Sequence, residues 1–129
     1  MILVDSSVWI DFLSSSPGSA GRELRRLIQE SEAVALTGVV VTEVLQGLKR
    51  DARAIERFLI QFEMLEPNGF ETYRAAAGIY RGARAKGLSL TTIDTLIAAI
   101  AIECNASVFT LDRDFFRLAP LTGLALHSY

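Results

Sequence analysis

The sequence predicts an α/β fold, a mainly parallel and five-stranded sheet with helices on both faces, three layers in all. Two observations predict it. Short apolar runs of strand length alternate with longer stretches whose apolar residues recur at helical spacing. No repeat, low-complexity tract or shift in composition marks a linker, so the 129 residues read as one domain spanning 1–129. A chain of this size buries roughly two-thirds of its unfolded surface, enough for a core without staples.

The first strand is the apolar run 1–4, ended by Asp5. Ser6 or Ser7 can cap the helix that follows, which carries Val8, Trp9, Phe12 and Leu13. The run Ser14-Ser15-Ser16-Pro17-Gly18 breaks it. Residues 19–30 form a helix with Leu24, Leu27 and Ile28 inward and Arg22, Arg25 and Arg26 outward. A second strand is expected at 33–36. The stretch 39–48 mixes strand-favouring valines with Glu43, Leu45 and Gln46, and it reads as a short helix ended by Gly47. A helix over 51–62 is marked by Ile55, Phe58, Leu59 and Phe62. A third strand at 64–66 precedes the turn Pro67-Asn68-Gly69. Two helices follow, 70–86 stopped by Gly87 and then 91–104, before a strand at 107–110, a short helix at 112–118 and a last strand at 124–126. Trp9, Phe12 and Phe58 recur at helical spacing and so belong to the core rather than to a surface for stacking bases. His127 is expected at the surface near the end of the chain.

The scarce residue types exclude whole chemistries. Cys104 and His127 are the only thiol and imidazole, so the usual zinc sites are out of reach. A nucleophilic triad would have to recruit His127. No glycine loop of the phosphate-cradling kinds is present. The formal charge of −2 argues against a broad nucleic-acid-coating surface. No apolar run reaches the length of a membrane span, Met1 to Val4 does not look like a leader, and one cysteine cannot form an internal disulfide; a cytoplasmic location is expected. Hydrolytic chemistry here must rest on carboxylates.

Most of the 15 acidic residues sit where solvent reaches them, but four do not. Asp5 ends the first strand, where ligands bind in open α/β sheets. Glu43 lies in Val39-Val40-Val41-Thr42-Glu43-Val44-Leu45, apolar on nearly every side. Asp94 opens the very apolar helix that contains Leu96 to Ile102. Asp112 follows Val108-Phe109-Thr110-Leu111, with Asp114 just beyond. Each alone has an ordinary explanation, as a helix cap or a solvent-facing position. Together they suggest one crevice. Two carboxylates at 4 Å repel by roughly 4 kcal/mol at an effective dielectric near 20, so such a cluster calls for protons or a cation. Oxygen donors without imidazole or thiolate favour Mg²⁺ or Mn²⁺, and the chemistry that follows is metal-assisted phosphodiester hydrolysis.

Four segments carry a family resemblance: Asp5-Ser6-Ser7-Val8-Trp9-Ile10, Glu43-Val44-Leu45-Gln46-Gly47-Leu48, Thr92-Ile93-Asp94-Thr95-Leu96-Ile97-Ala98-Ala99 and Thr110-Leu111-Asp112-Arg113-Asp114-Phe115. In this order and spacing the chain resembles the PIN-domain ribonucleases, and within them the VapC-type toxins of toxin–antitoxin pairs. The resemblance implies that Asp5, Glu43 and Asp94 are the three central metal-binding and catalytic acids. The fourth falls on Asp112, with Asp114 as the competing placement, and only one of the two is expected to face the metal. Ser6 or Ser7 and Thr110 match hydroxyl positions that order the site. The resemblance further implies an RNA substrate, Mg²⁺ or Mn²⁺, a homodimer and a small cognate antitoxin protein, with no membrane.

Three rivals stand beside this reading, one of them a receiver-like signalling module with an Asp at a strand end, which offers no account of Glu43 and Asp94 in apolar helices. A phosphatase with Asp5 as nucleophile would want a second Asp two positions on, and Ser7 stands there. A PIN fold that only binds a partner has no need of all four acids. A metal-dependent RNA cleavage assay separates the phosphatase and the signalling module from the ribonuclease, and a matched Asp-to-Asn loss excludes the silent PIN fold.

Overall fold

The computed structural model describes residues 1–129. Five strands, β1 (Ile2–Val4), β2 (Val34–Thr37), β3 (Glu63–Leu65), β4 (Ser107–Phe109) and β5 (Ala125–Leu126), form one sheet in the order β3-β2-β1-β4-β5. Every pairing is parallel. Seven helices connect and cover them: α1 (Ser6–Leu13), α2 (Ser19–Gln29), α3 (Gly38–Gln46), α4 (Ala52–Leu59), α5 (Gly69–Ala85), α6 (Thr92–Glu103) and α7 (Arg113–Leu118), with one 3₁₀ turn at Ala119–Leu121. The result is a three-layer α/β/α sandwich, as the alternating pattern requires.

The strands are short and apolar because both faces of a parallel sheet are covered. All four residues of β2 are buried, and so are Leu3, Val4, Val108 and Phe109 of the central pair. Strand β1 has β2 on one side and β4 on the other, with Ile2 opposite both Val34 and Ser107. The chain therefore leaves β1 and β4 at adjacent strand ends with the order reversing between them. In open α/β sheets that switch point is where a crevice opens.

Most element boundaries shift by one to three residues from the sequence reading, β4 ending at Phe109 and α3 at Gln46 among them, and three of the shifts have a plain physical reason. Strand β2 runs to Thr37, not 36, because that residue is both the last of the strand and the cap of α3, its hydroxyl accepting from Val40 N at 3.3 Å. Strand β3 starts at Glu63; it is an edge strand, and edges carry charged residues without loss. Helix α4 stops at Leu59 rather than 62, so that Ile60 to Phe62 can turn the chain into β3. Gly87 ends the α5 region as read, in a left-handed conformation (φ +83°) that suits glycine.

Trp9, Phe12, Phe58 and Phe62 interlock at ring separations of 5.2–6.2 Å, which makes them core, as their spacing predicts. His127 does not sit at the open surface as expected. It is 14% exposed, packs its ring against Phe109 at 4.9 Å with the planes tilted by 52°, and shares a 2.9 Å hydrogen bond with Glu23, tying the chain just after the last strand to α2. Arg26 and His127 together hold the Glu23 carboxyl down at about 2, against the opposing effect of its burial.

The turn between α1 and α2 is organised by Asp11, whose carboxylate accepts from Gly18 N at 3.0 Å and Gly21 N at 2.7 Å. A Cβ at Gly21 would lie 2.9 Å from Asp11 Oδ2 and from Pro17 Cβ, and 3.0 Å from Phe12 Cα. Gly21→Ala is therefore expected to cost about 1–3 kcal/mol in a urea titration, the usual penalty of overpacking. At Gly18 the nearest atom would be 3.4 Å away, so Gly18→Ala should cost less. Equal losses would mean that the turn has room to move.

Candidate active site

The site is built from the end of β1 outward. Asp5 precedes α1 and its backbone oxygen accepts from Val8 N and Trp9 N, so the main chain closes the first turn. The side chain makes no capping bond. It is 6% exposed, and its Oδ2 accepts from Ser7 Oγ at 3.0 Å and from Thr110 Oγ1 at 2.8 Å. The capping explanation for Asp5 thus fails; this carboxylate is held by hydroxyls between two adjacent strand ends.

Those hydroxyls also organise the loop after β4. Ser7 Oγ accepts from Leu111 N at 3.0 Å, and Thr110 Oγ1 accepts from Asp112 N at 3.0 Å. Each hydroxyl donates to the acid and accepts from a main-chain N–H of the loop after β4, Ser7 from across the site and Thr110 from within its own loop, which uses both its functions. Ser6 faces another way, donating from Oγ to Glu43 Oε1 at 3.1 Å and tying the first turn of α1 to the middle of α3. Both serines flagged in the sequence are engaged, on different acids.

Asp94 is the third residue of α6, and its backbone N donates to the cap hydroxyl of Thr91 at 3.1 Å. Its cap function is met by the main chain. The carboxylate, half-buried, lies with those of Asp112 and Asp114, and oxygens of the three approach within 4.8 Å of one another. Asp5 and Glu43 stand outside that triad. The sequence reading expects only one of Asp112 and Asp114 to face a metal; in the structure both carboxylates lie with that of Asp94. Asp112 is extended (φ −80°, ψ 120°) and caps α7, its Oδ1 accepting from Asp114 N at 2.9 Å. The helical count begins only at Arg113, so counting two helical steps from Asp112, which would turn the two acids about 200° apart, does not apply. Arg117 Nη1 lies 3.5 Å from Asp114 Oδ1.

The electrostatics follow from this crowding. Burial raises the Glu43 carboxyl above its ordinary value; the Ser6 hydroxyl opposes that and the Asp5 and Asp94 charges add to it. Burial also raises Asp94, opposed by the bond from Thr91 and reinforced by Asp112 and Asp5. Both upward positions come first from burial, and the neighbouring carboxylates add to it. The donor set is oxygen alone, carboxylates and hydroxyls, and that fits a hard divalent cation and no softer metal.

A family model described as PIN domain matches residues 2–121. The chain is 36% identical over 133 aligned positions to VapC ribonuclease Mb1587 of Mycobacterium bovis and to ribonuclease VapC11 of Mycobacterium tuberculosis, covering all of this chain and 99% of each relative. Among solved structures, VapBC2 from Rickettsia felis bound to a DNA fragment from their promoter superposes with a TM-score of 0.78 at 21% identity, covering 100% of this chain and 99% of that one. VapC20 of Mycobacterium tuberculosis, described as a sarcin-ricin loop cleaving toxin, superposes at 0.68 and 18% identity over 91% of this chain and 94% of its own. The solved structures establish the fold; the family model and the full-length relatives establish descent. The chain belongs to the PIN-domain family and, within it, to the VapC ribonucleases.

Proposed function

We propose that this chain is a single-domain, Mg²⁺- or Mn²⁺-dependent endoribonuclease that hydrolyses RNA phosphodiester bonds as the toxin of a toxin–antitoxin pair. One observation carries the reading: three carboxylates within 4.8 Å, at the switch point of a parallel sheet, beside a fourth that is buried and held by hydroxyls. No lysine or arginine other than Arg117 forms an ion pair with these acids.

Asp94, Asp112 and Asp114 would hold the cation, with Asp5 and Glu43 completing the acidic set. When bound, a divalent cation supplies acidity to a water and charge against the phosphate's developing negative charge. Ser7 and Thr110 keep the Asp5 carboxylate in one orientation, and Ser6 does the same for Glu43. Holding these groups in advance is what makes such a site effective, since nothing has to reorganise during reaction. A cognate antitoxin protein and a homodimer belong to the same proposal; Ile60, 82% exposed, is part of the apolar surface open to such contacts. No helix is long and apolar enough to cross a membrane. The substrate and partner would be met in the cytoplasm, where a lone thiol such as Cys104 stays reduced.

Chelation tests the reading. EDTA is expected to abolish cleavage of RNA by the purified protein, and Mg²⁺ or Mn²⁺ to restore it where Zn²⁺ does so poorly. Full activity in excess chelator would sink the mechanism.

A further inference from the structure

Ser6 and Glu43 join α1 to α3 at the edge of the acidic crevice, through the 3.1 Å bond from Ser6 Oγ to Glu43 Oε1. Glu43 belongs to that crevice, for the Asp5 and Asp94 charges reach its carboxyl. Just beyond the bond, the seam between the two helices opens into an apolar cavity of about 170 Å³, lined by Ile10, Leu13, Val44, Gly47 and Leu48. Ile10 follows Ser6 by four residues and Leu13 by seven, while Gly47 follows Glu43 by four. At 100° and 1.5 Å per residue, each lies within about 40° of the bonded residue on its own helix, and Ile10 and Gly47 about 6 Å further along. The hydrogen bond and the shared faces therefore set the cavity beside the crevice.

Size and lining say what fits. An apolar cavity of about 150 Å³ takes one benzene ring, so this one has room for a single ring and not for two fused ones. Its side chains offer no hydrogen-bond donor or acceptor, so it can measure the width of a base without reading its edge. Charge decides between an RNA strand and a peptide. Residues 49–53 carry three exposed cations, Lys49, Arg50 and Arg53, against one acid, Asp51, and no ion pair engages any of them. Lys49 and Arg50 follow Leu48 directly, within about 8 Å of it along the chain. A cationic peptide drawn to the acids would be repelled at this end of the slot, whereas a polyanion is held there.

We propose that the α1–α3 slot receives a single-ring base, a pyrimidine, of the RNA strand as it leaves the acidic crevice, with Lys49 and Arg50 on the phosphate that follows. The inference rests on the ribonuclease reading above and adds a determinant of base choice to it. Bases splayed from a single strand are the part of RNA that proteins select by fit.

The test is binding without cleavage. Fluorescein-labelled oligouridine and oligoadenosine of equal length are titrated in EDTA and followed by anisotropy, and the ratio of the two affinities is read. The parent is expected to favour oligouridine. Gly47→Leu fills the slot without backbone strain, because φ is −87° and a Cβ there meets nothing closer than Glu43 O and Val44 O at 3.7 Å. It should bind oligouridine about tenfold more weakly, the low end of what a misfit in an apolar pocket is worth, and oligoadenosine as the parent does. Ile10→Ala widens the slot at a residue that is 55% exposed, and it should narrow the ratio too. Lys49→Gln and Arg50→Gln should each lower the slope of log affinity against log salt by about 0.7, the release expected from one phosphate on a single strand. A parent without base preference, a parent-like ratio in both slot variants, or parent-like salt slopes in both charge variants overturns the proposal. So does a Gly47→Leu protein that keeps the ratio but changes oligomeric state by light scattering, which assigns the face to a protein. If the ratios behave as expected and the parent cleaves no RNA with any divalent cation, the ribonuclease reading fails while the base slot stands.

Discussion

Asp94→Asn is expected to abolish RNA cleavage and to leave the protein as stable as its parent at neutral pH, or more so. The activity loss should be about 10²–10³-fold in kcat, the scale on which removal of one charge-stabilising group is felt. The stability gain follows from the pKa direction. Burial, with the Asp112 and Asp5 charges, holds the Asp94 carboxyl above its ordinary value even though Thr91 bonds to it. That upward position is the net of burial, the two neighbouring charges and the opposing Thr91 bonds. Folding therefore disfavours the ionised form. A carboxyl that binds its proton more tightly folded than unfolded contributes fully below its unfolded value of about 4, and the contribution is lost as pH rises through the raised folded value. Glu43 acts in the same sense. Melting temperature without added cation should accordingly fall as pH rises through the weakly acid range, and less steeply in Asp94→Asn. The Asn side chain leaves the Asp94 N–H to Thr91 bond in place, because that bond is main-chain. Circular dichroism melts across the pH range decide the matter. A variant that melts lower than the parent at every pH would make Asp94 a structural residue.

Asp5→Asn should lose activity as well, for a different stability balance. Its Oδ2 accepts from both Ser7 and Thr110, so this side chain is tied to two hydroxyls across the site. The two variants thus separate a crowded acid from a hydroxyl-supported one.

How far the sequence could be read depended on whether the decisive contact was local. The strands were legible because parallel strands are apolar runs, and each helix because its apolar face repeats. Asp5 and Asp112 were legible as acids at strand ends, and Glu43 and Asp94 as acids among aliphatic residues. What failed was each feature that turns on a single backbone angle or a distant partner. Glu63 reads as a loop residue until the sheet order shows it at an edge. His127 reads as surface until the fold sets it against Phe109 and Glu23, 104 residues away in sequence. The serines could be named but not assigned, because Ser6 and Ser7 differ only in which way the first turn of α1 points them.

The Asp112–Asp114 pair is the clearest case, and it leads to an expected result opposite to the one a helical count gives. Counting from Asp112 puts the two side chains far apart around the helix and lets only one act. With Asp112 extended and serving as the cap, Asp114 is one residue into α7, and both carboxylates join Asp94 within 4.8 Å. Asp112→Asn and Asp114→Asn are therefore each expected to weaken Mn²⁺ binding by at least about tenfold, since even outer partners of a metal site are worth 10–100-fold. The double variant should show no saturable Mn²⁺ binding in a calorimetric titration. Their stabilities should differ in a way that tells cap from ligand. Asparagine caps as well as aspartate, so Asp112→Asn should melt with the parent, whereas Asp112→Ala should lose about 1 kcal/mol along with the bond to Asp114 N. Asp114→Asn gives up an exposed pairing with Arg117 at 3.5 Å, worth roughly 0.2–1 kcal/mol. If Asp114→Asn titrates Mn²⁺ like the parent while Asp112→Asn does not, Asp112 acts alone and Asp114 serves only Arg117 and the first turn of its helix.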